Sequence, residues 1–188
     1  MKQRCLMPMF HARRHETAVP DANVSPEPHG ARRRTGPGPG CAAGTRVSAV
    51  PAPTLPITGG CLCGGVRYEV DRPLASASYC HCTRCQRRSG TAASAQAVIE
   101  PGSLRIVQGE ELVRTFRPPD GWAKLFCSGC GSALFSQSQA DPKKMTIRLG
   151  SFDSDPGIRP QARYHVGTAA VWEPIPDDGL PRHEGGRT

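Results

Sequence analysis

The sequence predicts an all-β fold of short, mainly antiparallel strands. Three observations carry this. Several short runs alternate apolar and polar residues, the period of a strand with one buried face. The 21 Gly and 19 Pro residues punctuate those runs with turns, at the spacing of a sheet protein. Aromatic residues make up only 5%, a composition that argues against a helical bundle.

Taken in order, the texture changes at Gly59. In "GVRYEV" Val66, Tyr68 and Val70 fall on one face. "ASASYCHC" reads as a second strand that runs into a cluster of cysteines, and "SAQAVIE" as a third, ended by the turn "PGS". "LRIVQG" and "LVRTFRP" are two more, parted by "GEE". "WAKLF", "CSGCG" and "SALFSQ" form a hairpin whose turn is the C-x-x-C. "KMTIRLGSF" alternates Met145, Ile147 and Leu149, and the last strands expected are "ARYHVG" and "AVWEPI". At most one helical turn is expected, around "TRCQRRS". No segment repeats with a period of roughly 20–50 residues.

Residues 1–56 read differently. They hold nine prolines, the tract "TGPGPG", the run "ARRR" and no hydrophobic period. Such a segment cannot bury enough apolar surface to offset its ordering entropy. It is expected to be a disordered basic extension, with residues 57–188 as the folded domain. A transit peptide is opposed by Glu16, Asp21 and Glu27 and by the missing amphipathic period. The formal charge is +8, of which residues 1–56 contribute eight Lys and Arg against three Asp and Glu. The domain itself is only mildly basic, so nucleic acid is not an expected partner. No window approaches a membrane span of ~18 apolar residues.

Chemistry is concentrated in the cysteines. Nine are present. That number is odd, the N-terminus shows no signal-like apolar run, and the spacings C-x-C and C-x-x-C are those of metal ligands. A soluble protein of a reducing compartment, the cytoplasm, is expected. Cys5 and Cys41 lie in the extension. The other seven sort by geometry. In extended chain, residues i and i+2 point to one side. Cys61 and Cys63 can therefore aim at one ion, and so can Cys80 and Cys82. One assignment groups Cys61, Cys63, Cys127 and Cys130 around a closed four-thiolate zinc that staples the start of the domain to its middle. The alternative is four buried, reduced cysteines without metal.

Cys80, Cys82 and Cys85 remain as a triple. His81 lies between two of them and should point the opposite way, whereas His165 could approach from a distant strand and close the site. The preferred reading leaves the fourth position to water or substrate, as catalytic zinc is held. Three thiolates suit a soft fourth ligand, and a thiol is the softest common choice. Arg84, Arg87 and Arg88 would partly balance the charge and could grip substrate carboxylates; otherwise they are a solvated basic turn. Asp153, Asp155, Asp177 and Asp178 lie in loop-like stretches and form no carboxylate pair for acid–base work.

Together "GGCLCGGVRYEV", "SYCHCTRCQRRSG", "FCSGCGSALF", "RLGSFD" and "HVGTAAVWEPIPDDGLPRHEG" resemble the glutathione-dependent formaldehyde-activating enzyme family, which includes centromere protein V. The resemblance covers about residues 57–185. It implies a β-tent fold. It implies a structural zinc on Cys61, Cys63, Cys127 and Cys130 and a catalytic zinc on Cys80, Cys82 and Cys85, two zinc ions per chain. It also implies carbon–sulfur lyase activity that joins glutathione to formaldehyde as S-hydroxymethylglutathione. The function expected is therefore a zinc-dependent carbon–sulfur lyase acting on a glutathione-like thiol and a small aldehyde. The rival is a non-catalytic zinc module that binds protein or nucleic acid.

Overall fold

The structure is a computed structural model that describes residues 50–186. Two sheets share one hydrophobic core. The smaller is antiparallel, in the order β1 (Ile57–Gly60), β2 (Arg67–Val70), β5 (Leu104–Gln108). The larger has eight strands. Its first half runs β11 (Arg182–His183), β10 (Arg163–Tyr164), β3 (Ser76–Cys80), β4 (Ser94–Ile99). It continues through β9 (Met145–Arg148), β8 (Ala133–Gln137), β7 (Ala123–Cys127) and β6 (Val113–Phe116). Every pairing is antiparallel except those of β10 with β3 and with β11. The all-β, mainly antiparallel expectation is thus met, with the two sheets of a β-tent.

The alternating runs bury the faces they should. Val66, Tyr68 and Val70 are all inside, and so is Ile147, with Met145 and Leu149 packed against the same core. Tyr68 joins the sheets. Its ring meets Phe135 of β8 edge-on, centroids 5.3 Å apart, and Phe152 at 5.9 Å. Such aromatic contacts add about 0.5–1.5 kcal/mol beyond their buried area. The hydroxyl reaches Ser151, 2.8 Å from its carbonyl and 2.7 Å from its Oγ. Gly59 is needed here, because a side-chain carbon would collide with the Tyr68 ring and the Ser151 carbonyl.

Three local expectations need correction. A helix, α1 (Thr83–Ser89), has 7 residues rather than one turn. Cys82 caps it by accepting the Cys85 N–H at 3.4 Å, and Gly90 ends it in the left-handed region at φ 70°. Arg and Gln between these caps are good helix formers. "AVWEPI" is a turn and not a strand, with Val171 97% and Trp172 64% exposed. Pro174 and Pro176 remove the donors a ladder needs. The short strands β1 and β11 add to the expected set. β11 has only two residues, too few to show an alternation, and is placed by pairing with β10 and by His183 stacking on Tyr164 at 4.8 Å.

Candidate metal centres

Four cysteines meet where the small sheet abuts the β7–β8 hairpin. Cys61 and Cys63 follow β1 in a tight loop. The loop is closed by Gly64 N–H to the Cys61 carbonyl at 3.1 Å and by Cys61 N–H to Val66 at 3.1 Å. Cys127 ends β7, and Cys130 follows in a turn closed by Gly131 N–H to the Cys127 carbonyl at 2.8 Å. Gly64 and Gly131 sit at φ 74° and 76°, which lets each loop reverse without strain. The Sγ of Cys61 lies 3.4 Å from that of Cys63, and Cys63 lies 3.9 Å from Cys127. All four sulfurs fall within 4.8 Å of one another. Ser132, which the sequence reading did not single out, ties the loops together. Its Oγ accepts from Leu62 N–H at 2.9 Å and lies 3.2 Å from the Cys130 sulfur. That contact, with the Ser132 backbone, holds the Cys130 thiol down to about 5.

Cys80, Cys82 and Cys85 form the second group, also within 4.8 Å. β3 delivers Cys80, the helix cap is Cys82, and the first turn of α1 carries Cys85. Cys80 and Cys85 are buried and Cys82 is half-exposed. Hydrogen bonds from Cys80 and Cys85 pull the Cys82 thiol far below its ordinary value. The contacts with Cys82 and Cys85, together with burial, push Cys80 far up.

His81 points away from the sulfurs, as the strand argument required. It is buried, its Nε2 is 3.2 Å from Arg163 Nη1, and burial followed by the Arg163 charge pulls its pKa down. Arg163 in turn donates to Asp178 at 2.6 Å and lies over the Tyr79 ring at 4.5 Å. This chain of contacts pins the C-x-C segment from behind. His165 lies in the left-handed region at φ 59° and lines the same cleft, but no histidine or carboxylate joins the triple's group among the described residues.

That cleft has a volume of about 480 Å³ and is lined by all three cysteines together with Gln96, Lys124 and His165. This is the size of a small-molecule site. A broader hollow of about 670 Å³ touches Cys85 but neither Cys80 nor Cys82. The narrower cleft is therefore the approach to the triple. Among these lining groups, Lys124 and Gln96 escaped the sequence reading, since nothing local marks a strand residue as facing a distant cysteine.

Residues 56–168, which contain all seven clustered cysteines, match the family model described as glutathione-dependent formaldehyde-activating enzyme. The chain belongs to the glutathione-dependent formaldehyde-activating enzyme family. Among solved structures it is similar to a Rhodobacter sphaeroides protein determined by structural genomics. The two share 24% identity over 68% of this chain and 99% of that one, with a TM-score of 0.45. No curated protein matches.

Of the three arginines of α1 named from sequence, Arg87 is exposed, while Arg84 and Arg88 are engaged within the protein. Arg84 is held by both oxygens of Asp120, at 2.7 and 2.6 Å. Arg88 turns inward, donating to Ser136 Oγ at 2.9 Å and to the Leu125 and Phe135 carbonyls at 2.8 and 3.0 Å. Beside it Arg148 of β9 donates to Ser94, to Gln96 at 3.1 Å and to Ser136 at 3.3 Å. Burial, and then each other's charge, lowers Arg88 to about 10. Burial likewise lowers Arg148, against the opposing pull of Cys85 and Cys80. The carboxylates named from sequence are largely engaged elsewhere: Asp153 with Arg67, Asp155 with Arg159 and Asp178 with Arg163. No helix among the described residues is long and apolar enough to cross a membrane.

Proposed function

We propose that this chain is a zinc-dependent carbon–sulfur lyase that adds a glutathione-like thiol to a small aldehyde, formaldehyde in the first instance. The observation that carries the reading is the three-cysteine group at the floor of a cleft, with no fourth protein ligand gathered to it among the described residues. Both donor sets fit zinc. Four clustered thiols make a closed tetrahedral site, so we assign Cys61, Cys63, Cys127 and Cys130 to a structural ion. Three thiols beside a cleft make a site with one position free, so we assign Cys80, Cys82 and Cys85 to a catalytic one. Zinc bound there supplies a Lewis acid that keeps an incoming thiol deprotonated near neutral pH, the form in which sulfur attacks a carbonyl.

The chain's own residues do the rest. Cys82 faces the cleft, while Cys80 and Cys85 form its buried wall. Arg163 and Asp178 hold His81, and through it the backbone between Cys80 and Cys82, in one geometry. Arg88 and Arg148 set two positive charges against the sulfurs. Seven reduced thiols in metal-type groups suit a reducing compartment such as the cytoplasm. We assign residues 1–56 no part in the chemistry; of these, residues 1–49 lie outside the described residues.

An enzyme of this kind speeds both directions without moving the equilibrium. Exchange between glutathione and its hydroxymethyl adduct, followed by NMR, is expected to be faster with the zinc-loaded protein and unchanged with Cys80→Ser. No acceleration over buffer by fully loaded protein would reject the lyase and leave a non-catalytic zinc module.

A further inference from the structure

Addition of a thiol to an aldehyde makes a chemical demand that the cysteines do not meet. As the sulfur–carbon bond forms, the C=O π pair moves onto oxygen. That oxygen must gain a proton before the hydroxymethyl adduct can leave. A donor has to sit in the cleft, within reach of an atom next to the attacking sulfur.

Lys124 is one of the groups that line this cleft with the three cysteines. It lies in β7, opposite Phe116 of β6 and Ser136 of β8. The charges that act on it are those of Cys85 and Cys82 and, with opposite effect, those of Arg88 and Arg148. Among the described residues it has neither an ion-pair nor a hydrogen-bond partner. Of the other polar groups around the cleft several are committed, and His165 is another titratable side chain that lines it with the cysteines. Arg84 is bound to Asp120, Ser136 accepts from both buried arginines, and the Thr168 hydroxyl donates to main-chain carbonyls of His81 and His165. A half-buried ammonium without a counter-ion is costly unless something anionic visits it.

We propose that Lys124 is the general acid of the reaction, delivering an Nζ proton to the aldehyde oxygen, and the base that takes it back in the reverse direction. This rests on the lyase reading. The step balances. The S–H proton passes to solvent as the thiol becomes a thiolate. A C–S bond and an O–H bond form, the C=O π bond and one N–H bond break, and solvent returns the thiol's proton to the amine with no change of oxidation state. Burial lowers the Lys124 pKa, opposed by the pull of Cys85 and Cys82 and aided by the charges of Arg88 and Arg148, and a donor nearer the working pH transfers its proton more readily.

The test compares zinc-loaded wild type with Lys124→Met and Lys124→Arg in the glutathione exchange measurement, with metal content and melting temperature checked for each. Loss of a general acid is worth about 10²-fold or more. Both variants are expected to lose that much at saturating glutathione, because an arginine keeps the charge but holds its proton too tightly. Glutathione affinity is expected to stay within about threefold of wild type. If the Met variant fails to fold, the Arg variant carries the test. A footprint independent of turnover accompanies it: glutathione should protect Lys124 from acetylation relative to Lys143 and Lys144. A near-wild-type rate in either variant overturns the proposal. So does unchanged labelling, or a loss that high glutathione restores, which would make Lys124 a carboxylate anchor. An inactive wild type rejects the lyase itself; an active wild type with active variants rejects only the role of Lys124.

Discussion

Arg88 and Arg148 place two positive charges inside the protein, and among the described residues no carboxylate pairs with either. Buried cations are ordinarily matched by an anion. Among the described residues the sulfurs of Cys80, Cys82 and Cys85 are the groups beside Arg148 that would become anionic on binding a metal. Three thiolates on a divalent ion carry a net charge of about −1, and a substrate thiolate brings it to about −2. The two guanidiniums then balance the loaded site. Two unit charges about 6 Å apart attract by roughly 3 kcal/mol at an effective dielectric of 20. Removing one cation should therefore weaken capture of the substrate thiolate more than retention of the metal. For Arg148→Met the expected loss of glutathione affinity is about tenfold or more, read by titration calorimetry on protein with a full metal complement. Unchanged affinity would mean that the pair serves packing alone.

The elements divide the seven cysteines into two kinds of site. Cys127 is wholly buried at the end of β7, with Val113 of β6 opposite it. Its partners Cys61 and Cys63 lie in the loop after β1. A metal there would close a long stretch of chain, and structural zinc sites supply on the order of 10 kcal/mol. The triple is local by contrast. It spans the end of β3, the cap of α1 and its first turn, and a hydrogen-bonded backbone already supports it. Cys127→Ser is therefore expected to abolish soluble, cooperatively folding protein. Cys82→Ser should lower the melting temperature little while removing exchange activity. Circular dichroism melts of the two variants make the comparison, and equal destabilisation would erase the distinction between the sites.

For the whole molecule, the core lies between the two sheets and is built from residues of the domain, from Ile57 to Ile158. The segment just before β1 is not all dispensable, since the Pro53 ring lies against Gly157, where a side chain would collide with it. The family match begins at residue 56. A truncation that removes residues 1–49 and spares Pro53 is expected to keep its melting temperature and two metal ions per chain, measured by calorimetry and elemental analysis. A reproducible metal count of one would defeat the two-site assignment. A large fall in melting temperature would show that residues 1–49 contribute to the fold.

Much of this protein was written locally. The alternation of Val66, Tyr68 and Val70 fixes which face of β2 is buried, because side chains alternate strictly along a strand. The C-x-C and C-x-x-C spacings pair sulfurs on one side of a strand or turn, so each pair and the triple were legible as candidate ligands before any fold was known. The same alternation turned His81 away from the triple. Other features depend on partners far along the chain. Whether Cys61 meets Cys127, and how Lys124 of β7 comes to face Cys82 and Cys85, is settled by sheet order, which brings β3, β4, β9, β8 and β7 side by side. Arg88 looked like part of a solvated basic turn because its acceptors, on β7 and β8, lie more than thirty residues away. "AVWEPI" looked like a strand because its apolar residues alternate, but among the described residues it pairs with no strand, and Pro174 cannot donate. A periodic pattern records which face of a segment can be buried. What buries it, and which charges gather around a cysteine cluster, is decided by long-range packing.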